Sequence, residues 1–141
     1  MEEIKLLAVG DLHGKSCWQA IDFGQYDKVV FMGDYVDSTN HSDEEILDNL
    51  KAVIRAKLQF SEKVVLLLGN HDIQYVYYPD YRCSGFRRSM QISLMELFNQ
   101  HIHLFQIAYQ VGRHLFSHAG VSSPWYNRLL TLIDKIPLKD M

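Results

Sequence analysis

Positive charge is in short supply: 14 Lys and Arg face 17 Asp and Glu, leaving a net charge of −3. A protein that grips a nucleic-acid backbone needs a basic surface, so nucleic acid is not an expected partner. Cysteine is scarcer still. Cys17 and Cys83 are far apart and form no Cys-x-x-Cys pair. That gives neither a disulfide framework nor a thiolate metal site, and fits two reduced thiols. No apolar run approaches the roughly 18 residues of a membrane span. The opening residues carry Glu2 and Glu3 before a short apolar run, without the basic start and long apolar stretch of a signal peptide. The expected setting is the cytoplasm, away from membrane.

Against these absences stands an ordinary globular composition, 48% hydrophobic and 22% charged over 141 residues. That length can bury a real core and points to one domain over 1–141. Apolar runs alternate with helical patterns, the order of an α/β fold. Three short runs, Ile4 to Val9, Val29 to Met32 and Val64 to Leu68, each stop at a glycine. Being apolar at nearly every position, they predict strands buried on both faces. Ser42 and Glu45 have capping-box spacing ahead of Ile46, Leu50, Val53, Ile54 and Leu58, which predicts an amphipathic helix. A weaker helical pattern covers Ser89 to Asn99. His103 to Val111 and His114 to Ser117 read as two strands around Gly112, and Pro124 opens a last helix ending before Pro137.

Each of the three strand-ending glycines begins a polar cluster. Sites in α/β sheets form at the carboxyl ends of strands, so the clusters are expected to meet. Gly10-Asp11-Leu12-His13-Gly14 puts a carboxylate and an imidazole two residues apart, on one side of an extended backbone. Gly33-Asp34-Tyr35-Val36-Asp37 places Asp34 just past a buried strand, where a carboxylate needs a metal or a strong donor. Gly69-Asn70-His71-Asp72 offers a neutral oxygen ligand and an imidazole, and His118 follows the last strand. Read singly, each cluster also fits a turn, a loop acid or a structural histidine. Together they form a mixed oxygen and nitrogen set without thiolate, suited to manganese, iron or zinc.

With these four segments in this order, the sequence resembles the calcineurin-like metallophosphoesterases, from residue 4 to about 126. Gly33 to Asp37 and His118 to Trp125 look most like bacterial relatives of the phosphoprotein phosphatases. The resemblance implies a sandwich of mixed sheets flanked by helices, and hydrolysis of a phosphate monoester or phosphoanhydride by a water activated between two divalent ions. Asp11 and His13 would hold the first ion, Asp34 would bridge, and Asn70 and His118 would hold the second. His71 would protonate the leaving oxygen, oriented and kept protonated by Asp37. The substrate would be a phosphoprotein, a nucleotide or a small phosphoester.

Three departures from the family pattern matter. Where the phosphoprotein phosphatases have a phosphate-gripping Arg-Gly after Asp37, this chain has Ser38 and Thr39. Arg82, Arg87 and Arg88 are then the candidate phosphate clamps, or else a solvated basic patch. The family's final histidine ligand has no counterpart between Val121 and Met141, and His41 is the nearest substitute. The second sheet should be incomplete, leaving apolar surface uncovered, which a homodimer could cover. The alternative to an active hydrolase is therefore a truncated or vestigial metal-binding domain with little catalysis. A nucleotide substrate would need a base-stacking surface, for which Tyr75, Tyr77, Tyr78 and Tyr81 compete with simple packing against the protein.

Overall fold

The computed structural model describes residues 3–133. Four strands, β1 (Leu6–Val9), β2 (Lys28–Phe31), β3 (Val64–Leu67) and β4 (Phe105–Gln106), form one parallel sheet in the order β1-β2-β3-β4. Between β2 and β3 runs α1 (Asp43–Gln59). After β3 come α2 (Asn70–Val76) and α3 (Gln91–Gln100). A hairpin of β5 (Ala108–Val111) and β6 (His114–Ser117) makes a second, antiparallel sheet, followed by α4 (Ser123–Ile133). This is an α/β fold of the metallophosphoesterase type, though each sheet is of a single sense rather than mixed among the described residues.

Helix α1 forms where the capping box predicts it. The Glu45 amide donates to Ser42 Oγ at 3.1 Å and the Ser42 amide donates to Glu45 Oε2 at 2.9 Å. This satisfies two donors that a helix start otherwise leaves free. Asp43, Glu44 and Glu45 sit in its first turn and Lys57 in its last, each on the favourable end of the helix dipole. Its buried stripe, Ile46, Leu50, Val53 and Ile54, packs with Val29, Phe31, Val64 and Leu66 into the main core. The alternate residues Val30, Val65 and Leu67 face the other way and meet Tyr109 and Phe116 of the hairpin. Strands β2 and β3 are buried on both faces, as their composition predicts. Strand β1 is only half-buried, because it lies at the sheet edge.

The register places the site. Val9 pairs with Phe31, and Phe31 pairs with Leu66. Parallel strands in that register release their next residues along one edge of the sheet, so the segments starting at Gly10, Gly33 and Gly69 emerge side by side.

Local details of the chain path also differ from expectation. The run from His103 to Val111 is divided: His103 lies in a 3-10 turn (Ile102–Leu104), Phe105–Gln106 pairs with β3, and only Ala108–Val111 joins the hairpin. An apolar run cannot tell which neighbour each half will pair with. The polar stretch Gly69 to Asp72 leads straight into the short helix α2, which was not foreseen. The last helix begins as Pro124 predicts, but its expected end before Pro137 falls outside the described residues. Along α4, Trp125, Tyr126, Leu130 and Leu132 are exposed, as are Ile107 and Leu115. Cys17 and Cys83 are both unbridged. Among the described residues no helix is long and apolar enough to cross a membrane.

Candidate metal centre

Two glycines bring the strand ends into contact. Gly33 has φ +97°, and a Cβ there would lie 2.5 Å from the Gly69 amide nitrogen. A Cβ on Gly69 would lie 2.5 Å from the Asp34 amide nitrogen and would overlap its carboxylate. At Gly69 the backbone is ordinary, φ −100°, so the demand is for space alone. Gly69→Ala is expected to destabilise the fold by about 3 kcal/mol, the upper end of overpacking costs. Urea unfolding checks this.

Asp72 locks the two loops together. Its Oδ2 accepts from the Asp34 amide at 2.7 Å and the Gly69 amide at 2.9 Å, and its Oδ1 accepts from the Tyr35 amide at 2.9 Å. Burial pushes its carboxyl up to about 7, against the pull of those three amides. Tyr35, fully buried, donates its hydroxyl to the Leu67 carbonyl at 2.7 Å. The result is a rigid corner from which Asp34 projects. His13, Asp34 and Asp37 have φ of +46°, +57° and +62°. For residues with a Cβ this conformation is uncommon, and such strain collects at functional sites.

The donors converge. His13 Nε2 lies 3.8 Å from Asp11 Oδ2 and 3.7 Å from Asp34 Oδ2. His118 Nε2 lies 3.3 Å from Asp34 Oδ2 and 3.0 Å from Asn70 Oδ1. Each ring is held by its other nitrogen: His13 Nδ1 donates to the Val36 carbonyl at 2.9 Å, and His118 Nδ1 to the Met32 carbonyl at 2.8 Å. With Nδ1 so placed, each Nε2 turns inward to the oxygen atoms of Asp11, Asp34 and Asn70. Donors that share one ion at about 2.0–2.2 Å stand roughly 3–4 Å apart, which these distances match. Backbone carbonyls holding the outer nitrogens of two imidazoles are also the usual support of a metal site. Ligand atoms of Asp11, Asp34 and His118 all lie within 4.8 Å of one another, close enough to hold one ion.

The family model of calcineurin-like phosphoesterases matches residues 4–140. The chain belongs to the calcineurin-like phosphoesterase family. Its members are metal-dependent phosphoester hydrolases, and Asp11, Asp34 and His118 stand close enough together to hold a metal ion.

The remaining family positions fall around the centre. Asp34 Oδ1 accepts from the His71 amide at 3.0 Å. The His71 ring packs edge-on against His13, with centroids 5.2 Å apart, and its Nδ1 lies 2.9 Å from Asp37 Oδ2. Asp37 is buried and both its oxygens are engaged: Oδ2 also accepts from Gln74 Nε2, and Oδ1 accepts from the Tyr75 hydroxyl at 2.5 Å. Burial raises the Asp37 carboxyl, while Tyr75, His71 and Gln74 pull it down. Asp37 thus spends both oxygens on neighbouring side chains.

A groove of about 460 Å³ opens beside His71 and His13, lined also by Lys15, Asp37, Ser38, Thr39, Asn40, His41, Ser84 and Gly85. None of the three candidate arginines lines it. Arg87 spends its guanidinium on Asp43 Oδ1 at 2.9 Å, the His41 carbonyl at 2.8 Å and the Ser38 carbonyl at 2.5 Å. It braces the groove wall rather than facing the groove. Arg82 lies over the Phe86 ring, 4.7 Å from its centroid. Arg88 falls in the 3-10 turn before α3. His41 stands on the wall, paired with Glu45 at 3.2 Å, and is not among the converging metal donors. Phe86 also takes the rings of Tyr75 and Tyr78, at 4.9 and 5.2 Å, so those tyrosines pack on the protein itself. Sequence reasoning gave no role to Asp72, Gln74 or Lys15, and read Tyr75 only as a stacking or packing ring. Lys15 was legible as the charge immediately after Gly14.

Proposed function

We propose that this chain is a metal-dependent phosphoesterase of the phosphoprotein-phosphatase-like branch, acting on a phosphate monoester or phosphoanhydride at a centre of two divalent ions. One observation carries the reading: the Nε2 atoms of His13 and His118 turn toward the carboxylates of Asp11 and Asp34 and the amide oxygen of Asn70. In the assignment that follows, Asp11, His13 and Asp34 would hold one ion, and Asp34, Asn70 and His118 would hold the other. Such cations, when bound, absorb charge on the phosphoryl oxygens and lower the pKa of water enough for attack at neutral pH.

The protein's own groups do the rest. Asp37 is an acceptor for His71 Nδ1, which fixes the proton there and directs Nε2 outward. His71, lining the groove, gives its Nε2 proton to the departing oxygen. Tyr75 and Gln74 hold the Asp37 carboxylate still while this happens.

A second reading has its own support: the second set offers Asp34, Asn70 and His118 without a further histidine among the described residues. A weakly filled second position would leave a metal-binding domain with little turnover. Elemental analysis of the purified protein, paired with hydrolysis of p-nitrophenyl phosphate in manganese, decides. Two ions per chain with turnover are expected. One ion without turnover favours the second reading, and no metal at all removes both.

A further inference from the structure

A phosphate monoester brings a charge of about −1.5 to −2 at neutral pH, and a diester brings only one negative charge. Which of the two a phosphoesterase prefers depends on the positive charge its groove sets beside the phosphoryl group. The lining residues of this groove are hydroxyl, amide and imidazole side chains, with the carboxylate of Asp37 already engaged. Among the described residues, Lys15 is the one lysine or arginine that lines the groove. The arginines that could have served are committed elsewhere or off the groove: Arg87 to Asp43 and two carbonyls, Arg82 to the Phe86 ring.

The backbone that carries Lys15 is well fixed. The amides of Leu12 and His13 donate to the Asp34 carbonyl at 3.1 and 2.9 Å, that of Gly14 to the Tyr35 carbonyl at 3.0 Å, and that of Lys15 to the Leu12 carbonyl at 2.9 Å. Lys15 therefore springs from a pinned turn two residues beyond His13, whose Nε2 faces Asp11 and Asp34. Its side chain is exposed, and the described residues include no salt-bridge partner for it. A flexible ammonium rooted at the metal centre and not neutralised by a neighbour suits a mobile anionic group.

We propose that Lys15 is the phosphate-holding cation of this groove and sets a preference for monoester dianions over diesters. The proposal rests on the hydrolase reading for its substrate, but its effect on phosphate binding can be measured separately. The test compares wild type, Lys15→Met and Lys15→Arg in manganese on p-nitrophenyl phosphate and on bis(p-nitrophenyl) phosphate, with inorganic phosphate titrated calorimetrically into each. Loss of one charge-assisted contact is expected to weaken phosphate binding by about tenfold in Lys15→Met. The kcat/KM for the monoester should fall by a similar factor, mainly through KM, while the diester changes by less than about twofold. Lys15→Arg should recover most of the loss. Phosphate affinity that is undetectable in wild type or unchanged in Lys15→Met overturns the proposal, as does an equal loss on both esters. If wild type hydrolyses neither ester, the hydrolase reading fails, and the phosphate titration alone then decides the role of Lys15.

Discussion

Asp34→Asn is expected to abolish the gain in thermal stability that manganese gives the wild type, and to lower turnover at least a thousandfold, without lowering the melting temperature in chelator. The first two effects follow from the proposed sharing of Asp34, whose Oδ2 lies near Nε2 of both His13 and His118. A ligand present at 100 times its dissociation constant stabilises a fold by about 2.7 kcal/mol, on the order of 10 °C for a chain of this size. Losing about 4 kcal/mol of electrostatic stabilisation in the transition state is a thousandfold in rate. The third effect separates this from simple misfolding. Asparagine keeps the Oδ1 that accepts from the His71 amide, and its side-chain amide would stand beside Nε2 of His13 and His118. It also removes a buried negative charge from beside Asp72, whose carboxyl Asp34 pushes upward. Differential scanning calorimetry with and without manganese checks the set. A variant that still gains stability from the metal would show that Asp34 is not the shared ligand.

His71→Ala should cost between about a hundredfold and ten-thousandfold in kcat on an alkyl phosphate, the usual worth of a positioned acid. On p-nitrophenyl phosphate the loss should be much smaller, because that phenolate departs without a proton. Metal content should be unchanged, since the atom His71 contributes to Asp34 is its backbone amide. Asp37→Asn should show the same leaving-group dependence in weaker form. Asparagine tolerates the left-handed backbone at that position, yet it can present a donor where His71 Nδ1 needs an acceptor. Steady-state kinetics on the two substrates measures this directly. Equal losses on both would remove His71 from the role of acid.

The sequence carried the parts of this site that depend on local pattern. Dense apolar runs marked β2 and β3, the Ser42 and Glu45 pair marked the start of α1, and glycines after each strand marked where polar groups emerge. Convergence followed from parallel strands sharing one edge. Hidden were choices made across long separations. Asp72 bonds to amides 37 and 38 residues away, and Tyr75 finds Asp37 at a separation of 38. No periodicity announces such partners. Arg87 shows the limit most plainly: its type and neighbourhood suggested a phosphate clamp, and only the fold reveals two carbonyls and a carboxylate closer to hand.

Among the described residues, His118 is the one member of the converging set that comes from the hairpin side. The hairpin otherwise rests on the parallel sheet through a small apolar contact centred on Tyr109 and Phe116. An ion bound at that imidazole would act as a rivet between the two layers. Chelation would then reach beyond chemistry, slackening the hairpin while leaving the helix-covered face of the sheet intact.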